Sequence, residues 1–171
     1  GLMANEIRVA TAENGPILTF PNGQRMQIPG SGKGLLGPST DPSRELPLVS
    51  PDGRVVAVTS QPETKSAYAY LMVQGADGIY SSPRELNMAL MGFSLPGLTA
   101  SEYFLRVQRV ENDLIFLQAA DLTGLEPKMA DFALRLIDGK PIFPDGDGAF
   151  SLSGVFTDGP YAGFNSYAKE L

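Results

Sequence analysis

Two short segments contain residue types and spacings that occur in nucleotide-binding or catalytic sites. Gly30-Ser31-Gly32-Lys33-Gly34 has the glycines and the lysine of a phosphate-binding loop, whose backbone amides surround the phosphate. A Walker-type loop needs Ser or Thr after that lysine, and Gly34 stands there instead. Ser166 and Lys169 have the Ser-x-x-Lys spacing of a lysine-activated serine, but the partner motifs Ser-Asp-Asn and Lys-Thr-Gly are absent from the chain. Neither segment predicts a catalytic site.

A pair of carboxylates is the weak candidate for a metal site. Asp145 and Asp147 are separated by one glycine, as are the first two ligands of a calcium-binding loop. An EF-hand needs an oxygen ligand at position 149 and a glutamate at 156, and the chain has Ala149 and Phe156 there. The pair therefore predicts either two hairpin turns or a looser calcium site, and we expect no other cofactor.

Missing residue types exclude much of the remaining chemistry. The 171 residues include no cysteine and no histidine, so there is no thiol nucleophile, thiolate metal site or imidazole base. A pair of carboxylates remains as the route to hydrolysis, and nothing in the sequence pairs any two of the 19 acidic residues. The net charge of −6 and the lack of a basic cluster argue against nucleic-acid binding. No apolar run approaches the roughly 18 residues of a membrane-spanning helix.

Aromatic side chains are the candidate binding residues. Tyr161, Phe164 and Tyr167 lie among Gly, Ser and Asn near the C-terminus, where exposed rings would stack on sugars or anchor a protein partner. Tyr68 and Tyr70 alternate with Ala69 and share one face of a predicted strand, as residues lining a pocket would. For both groups the competing interpretation is packing in the hydrophobic core.

Turns and alternation predict the elements that hold these residues. Eight Asn-Gly or Asp-Gly steps suit type I′ hairpins, because both residues accept positive φ. They are interspersed with short β-rich runs, as in a sandwich or barrel. The predicted strands are 6–12, 17–20, 25–28, 46–49, 54–59, 67–74, 79–80, 103–110, 114–119 and 149–156.

Three segments depart from that pattern. Ser82-Pro83-Arg84-Glu85 is a capping box with proline at the first helical position, which predicts a short helix over 83–91. Residues 29–47 hold four Gly and four Pro, which predicts a long flexible loop or arm. Residues 127–137 fit either a helix or a strand, and the Asp-Gly step at 138–139 favours the strand.

The sequence therefore predicts one all-β domain over 1–171, an antiparallel sandwich or small barrel with one short helix and the 29–47 loop. The function that this composition favours is non-catalytic: a binding or assembly domain acting through a protein partner or self-association, as in a component of a virion, appendage or cell surface. The alternatives are a carrier that holds a small apolar ligand in a barrel pocket and, third, a carboxylate-based hydrolase. The sequence leaves the compartment open.

Overall fold

The computed structural model describes residues 1–30, 34–63, 66–86, 104–136 and 141–142. The chain is all-β, as predicted, and the strands within these residues form three antiparallel sheets that follow one another along the sequence. The first sheet comprises β1 (Arg8–Ala10), β2 (Ile17–Thr19) and β3 (Arg25–Gln27). The middle sheet comprises β4 (Leu48–Val49), β5 (Val55–Glu63), β6 (Ser66–Val73) and β7 (Arg84–Glu85). The third sheet has the order β11-β10-β9-β8, with β8 (Phe104–Val110), β9 (Leu114–Asp121), β10 (Lys128–Arg135) and β11 (Pro141–Ile142).

The middle sheet is buried on both faces, because its long strands β5 and β6 contain the continuous apolar runs 55–58 and 67–73. Odd-numbered residues such as Leu71 pack towards the third sheet, and even-numbered residues such as Met72 pack towards the first. Successive side chains of a strand point to opposite faces, so one continuous apolar run supplies two cores. The three sheets are thus stacked in layers, which corresponds to the sandwich alternative of the prediction.

The Asn-Gly and Asp-Gly steps do form turns, but the predicted type I′ geometry is wrong for those in the described residues. At Gly15, Gly23, Gly53 and Gly78 the backbone φ is positive, at 122°, 92°, 76° and 83°, whereas no non-glycine residue in the described part of the chain has positive φ. Each glycine amide donates to the carbonyl three residues earlier, for example Gly15 to Ala12 at 3.1 Å. The Asn or Asp therefore occupies an ordinary turn position, and the glycine alone adopts the left-handed conformation.

Two ambiguous segments are resolved by sheet pairing. Residues 128–135 are strand β10, which confirms the strand favoured for 127–137. The helix predicted over 83–91 is wrong at its start, because Arg84 and Glu85 pair with Leu71 and Tyr70 at the edge of the middle sheet. Leu86 has helical backbone, and 87–91 lie outside the described residues, as does the predicted strand 149–156.

The part of the predicted 29–47 loop that follows residue 33 packs against the body of the protein. Leu35 is buried and forms an isolated β-bridge with Ser60, and the Leu36 amide donates to the Thr59 carbonyl at 2.8 Å. Beyond this anchor, residues 39–46 are exposed, and Ser39 lies against the third sheet, where it hydrogen-bonds to Gln108. The middle sheet thus holds this segment beside strand β8.

Candidate binding surface

The tyrosines predicted from the sequence lie in the core between the first and middle sheets. Tyr70 is buried in that core, and Tyr68 is half-buried and packs against it. Burial, with a smaller contribution from the Glu85 carboxylate, raises the pKa of Tyr70 to about 12, so its hydroxyl stays neutral at physiological pH. The other predicted residues, Asp145, Asp147, Tyr161, Phe164 and Tyr167, lie outside the described residues.

We call the side of the third sheet that points away from the core the outer face. Its side chains alternate with the core residues along β8, β9 and β10, since Leu105, Leu117 and Phe132 point inwards. The antiparallel register arranges the outward side chains in rows across the strands. The rows are Phe104–Ala120–Met129, then Arg106–Gln118–Asp131, then Arg109–Phe116–Ala133–Ile142.

The middle row is polar, and its members lie directly opposite one another across the three strands. Arg106 lies directly opposite Gln118, which lies directly opposite Asp131. The Gln118 side-chain amide Nε2 donates to Asp131 Oδ1 at 3.3 Å. The row therefore has a cation at the β8 side, a carboxylate at the β10 side and an amide between them.

A β-bulge in β8 brings the 39–40 segment to this face. The register of β8 against β9 shifts between Val107 and Arg109, so Gln108 is the extra residue. Its side-chain oxygen accepts hydrogen bonds from the Ser39 amide at 2.8 Å and from the Ser39 hydroxyl at 3.0 Å. At the same bulge the Val107 amide donates to the buried Thr59 hydroxyl of the middle sheet at 2.9 Å. The bulge thus connects three parts of the protein.

Arg109 and Phe116 form a cation–π pair on the outer face. The Arg109 guanidinium carbon lies 4.1 Å from the centroid of the Phe116 ring, and Arg109 Nε lies 3.2 Å from Glu111 Oε1. Both charged side chains are largely exposed, so the ion pair itself contributes little to stability. The two contacts hold the Arg109 cation over an aromatic ring on this face.

An open groove of about 540 Å³ separates the 39–40 segment from the strands of the outer face. Its walls combine aromatic and aliphatic carbon with amide, hydroxyl, guanidinium and carboxylate groups. The described residues that line it include Ser39, Thr40, Gln108, Arg109, Phe116, Gln118, Asp131 and Ile142. Asp131 is the only carboxylate among these described lining residues, so they offer binding groups rather than the acid pair of a hydrolase.

Two buried polar atoms of the outer face have no hydrogen-bond partner among the described residues. They are Nε of Arg106 and Nε2 of Gln108, neighbouring outward positions of β8. Burial lowers the pKa of the Arg106 guanidinium, because removal from water disfavours its charged form. Buried polar atoms are paired in most proteins, so these two donors are exceptions among the described residues.

Sequence reasoning missed the outer face, although one of its signals is present in the sequence. The alternation in 103–110 turns Arg106 outwards and Leu105 inwards, as the structure has it. The row that joins Arg106 to Asp131 depends on the register of three strands. That register is set by long-range packing and leaves no local signal.

Comparison of the chain with protein-family models, with curated proteins and with solved structures finds no match. In the described residues no group of three or more Asp or Glu side chains is arranged to hold a metal ion. In the same residues no helix has the length and hydropathy needed to cross a membrane.

Proposed function

We propose that this chain is a non-catalytic binding or assembly domain that acts through protein–protein contacts at the outer face. The observation that supports this most directly is the groove, where the 39–40 segment and the third sheet contribute side chains to one open surface. The groove combines apolar and hydrogen-bonding groups, as protein interfaces do, and it therefore suits a protein partner better than a purely apolar lining would.

The composition of the outer face supports the same proposal. Outward positions of β8, β9 and β10 hold Phe104, Phe116 and Met129 together with three of the chain's eight arginines. Aromatic residues, methionine and arginine are the types enriched at protein interfaces, whereas lysine and glutamate are depleted. None of the outward positions on these three strands holds a lysine or a glutamate. The face therefore combines large contact area with few strongly hydrated charges.

A small-molecule carrier is the second candidate function. The observation in its favour is the groove volume of about 540 Å³, which falls within the roughly 300–1,000 Å³ of known ligand sites. Against it, Tyr68 and Tyr70, the residues expected to line a carrier pocket, pack in the core between two sheets. The open groove is also less suited to an apolar ligand, which gains most from full enclosure.

Native mass is the measurement that tests the proposed function. We expect light scattering on a sizing column, at two protein concentrations, to give an assembly larger than the monomer. Repeating the mass measurement with calcium and with a chelator tests whether Asp145 and Asp147 bind a metal ion on which the assembly depends. A monomer at both concentrations would contradict assembly, and a melting temperature raised by an apolar compound would then favour the carrier.

A further inference from the structure

We propose that the partner of the outer face is a second copy of this chain, related to the first by a two-fold axis parallel to β9. This inference rests on the proposed function and specifies the partner. It starts from the polar row Arg106–Gln118–Asp131, whose two ends carry opposite charges and whose middle strand is β9.

The two-fold axis makes this row complementary to itself. Rotation about an axis along β9 turns one outer face onto the other and exchanges the β8 side with the β10 side. Arg106 then lies over the partner's Asp131, and Asp131 lies over the partner's Arg106. Gln118, in the middle, meets the partner's Gln118, and an amide can donate to and accept from another amide.

The neighbouring rows fit the same rotation. In the first row Phe104 comes over the partner's Met129, so a half-buried aromatic ring covers a side chain that is 57% exposed in one copy. In the third row Phe116 comes over the partner's Phe116, and two such rings gain from stacking. The first row and the Phe116 pair of the third row would thus place apolar contacts on both sides of the polar row.

The proposed contact also pairs the Arg106 guanidinium with a carboxylate. Arg106 is half-buried, and Asp131 is exposed with its carboxylate at the surface. The partner's Asp131 comes over Arg106 twice in the dimer. A charge-assisted hydrogen bond between these two side chains is stronger than a neutral one.

The outer face offers a small contact area. Its three long strands, about 4.8 Å apart and about eight residues long, cover roughly 380 Å² in each copy, because β11 has only two residues. Two copies bury about 760 Å² in total, which is below the roughly 1,200 Å² of a standard specific interface, so we expect a weak, concentration-dependent dimer. Facing sheets pack about 10 Å apart, a spacing that Phe104, Phe116 and Met129 can fill.

Charge reversal at the two ends of the row tests the inference in full-length protein. In Arg106→Asp the contact holds two carboxylates, and in Asp131→Arg it holds two guanidinium groups. We expect each variant alone to weaken the dimer about 10-fold or more, measured by sedimentation equilibrium, because like charges then face each other. An equimolar mixture of the two variants restores opposite charges at both contacts, and its dimer constant returns towards that of wild type.

Matched controls separate this effect from general loss of charge or of fold. Arg25→Asp in β3 and Glu13→Arg make the same charge changes at exposed positions away from the outer face. We expect both controls to dimerise like wild type. Thermal melts show whether each variant is folded, and the double variant Arg106→Asp/Asp131→Arg, which restores the pairing within one sequence, is expected to dimerise.

The outcomes distinguish this inference from the proposed function. An oligomeric wild type whose mass does not respond to either reversal would overturn the inference and leave the assembly function standing. Loss of the dimer in both variants without recovery in the mixture would overturn the two-fold arrangement. A wild type that is monomeric at every concentration would contradict self-association altogether and leave the outer face to a different partner.

Discussion

Replacing Thr59 with valine is expected to loosen the contact between the middle and third sheets. The Thr59 hydroxyl is buried and accepts a hydrogen bond from the Val107 amide at 2.9 Å, at the bulge that presents Gln108 to Ser39. Valine has nearly the same shape as threonine but no acceptor. The change therefore leaves the Val107 amide buried without a partner and creates no cavity.

The size of the effect follows from two opposing terms. A buried donor that loses its acceptor costs about 1–3 kcal/mol, and the added methyl group returns about 0.8 kcal/mol of hydrophobic stabilisation. We therefore expect the free energy of unfolding to fall by about 0.2–2 kcal/mol. For a chain of this length that corresponds to a melting temperature lower by up to about 8 °C.

Amide hydrogen exchange tests the reasoning at the bond itself. In Thr59→Val the Val107 amide should exchange faster than in wild type, and chemical denaturation should give the loss of stability. Thr19→Val in β2 is the matched control, since its side chain is half-buried in a strand of the first sheet, and we expect a change within about 0.5 kcal/mol. A Thr59→Val protein as stable as wild type, with an equally protected Val107 amide, would refute the argument.

Two further predictions concern the cores on the two faces of the middle sheet and the buried Tyr70. Leu71→Ala and Met72→Ala should each lower the free energy of unfolding, measured by urea denaturation, by about 2–5 kcal/mol. The reason is that both side chains are fully buried, on opposite faces of the middle sheet. A negligible effect of Met72→Ala would contradict the three stacked layers. Since the folded protein holds the pKa of Tyr70 at about 12, above the usual value near 10, the contribution of Tyr70 to stability should be constant below pH 10 and be lost as the pH rises from 10 towards 12. Tyr70→Phe should reduce that fall in pH-dependent denaturation, and a Tyr70 that ionises near pH 10 in an absorbance titration would contradict it.

Much of the fold could be predicted from local sequence. Alternation and β-branched runs located the strands, because a strand with two different faces needs residues of two kinds in turn. The glycines of the Asn-Gly and Asp-Gly steps located four turns in the described residues, since glycine adopts positive φ at little cost. Local signals failed at Arg84 and Glu85, where pairing with the edge of β6 prevailed over a capping box. A tertiary contact there supplied backbone hydrogen bonds that a helix start would have made locally.

The candidate site depended on tertiary structure. The sequence by itself determined that the chain has no thiol or imidazole chemistry, and that Arg106 and Gln108 point away from the core residues Leu105 and Val107. Only the register of β8, β9 and β10 decided that Arg106 shares a row with Asp131, and only the anchor of Leu36 on Thr59 brought Ser39 to Gln108. The physical reason is that periodicity along a strand reports which face a side chain occupies, whereas its neighbours across the sheet are set by packing between segments distant in sequence.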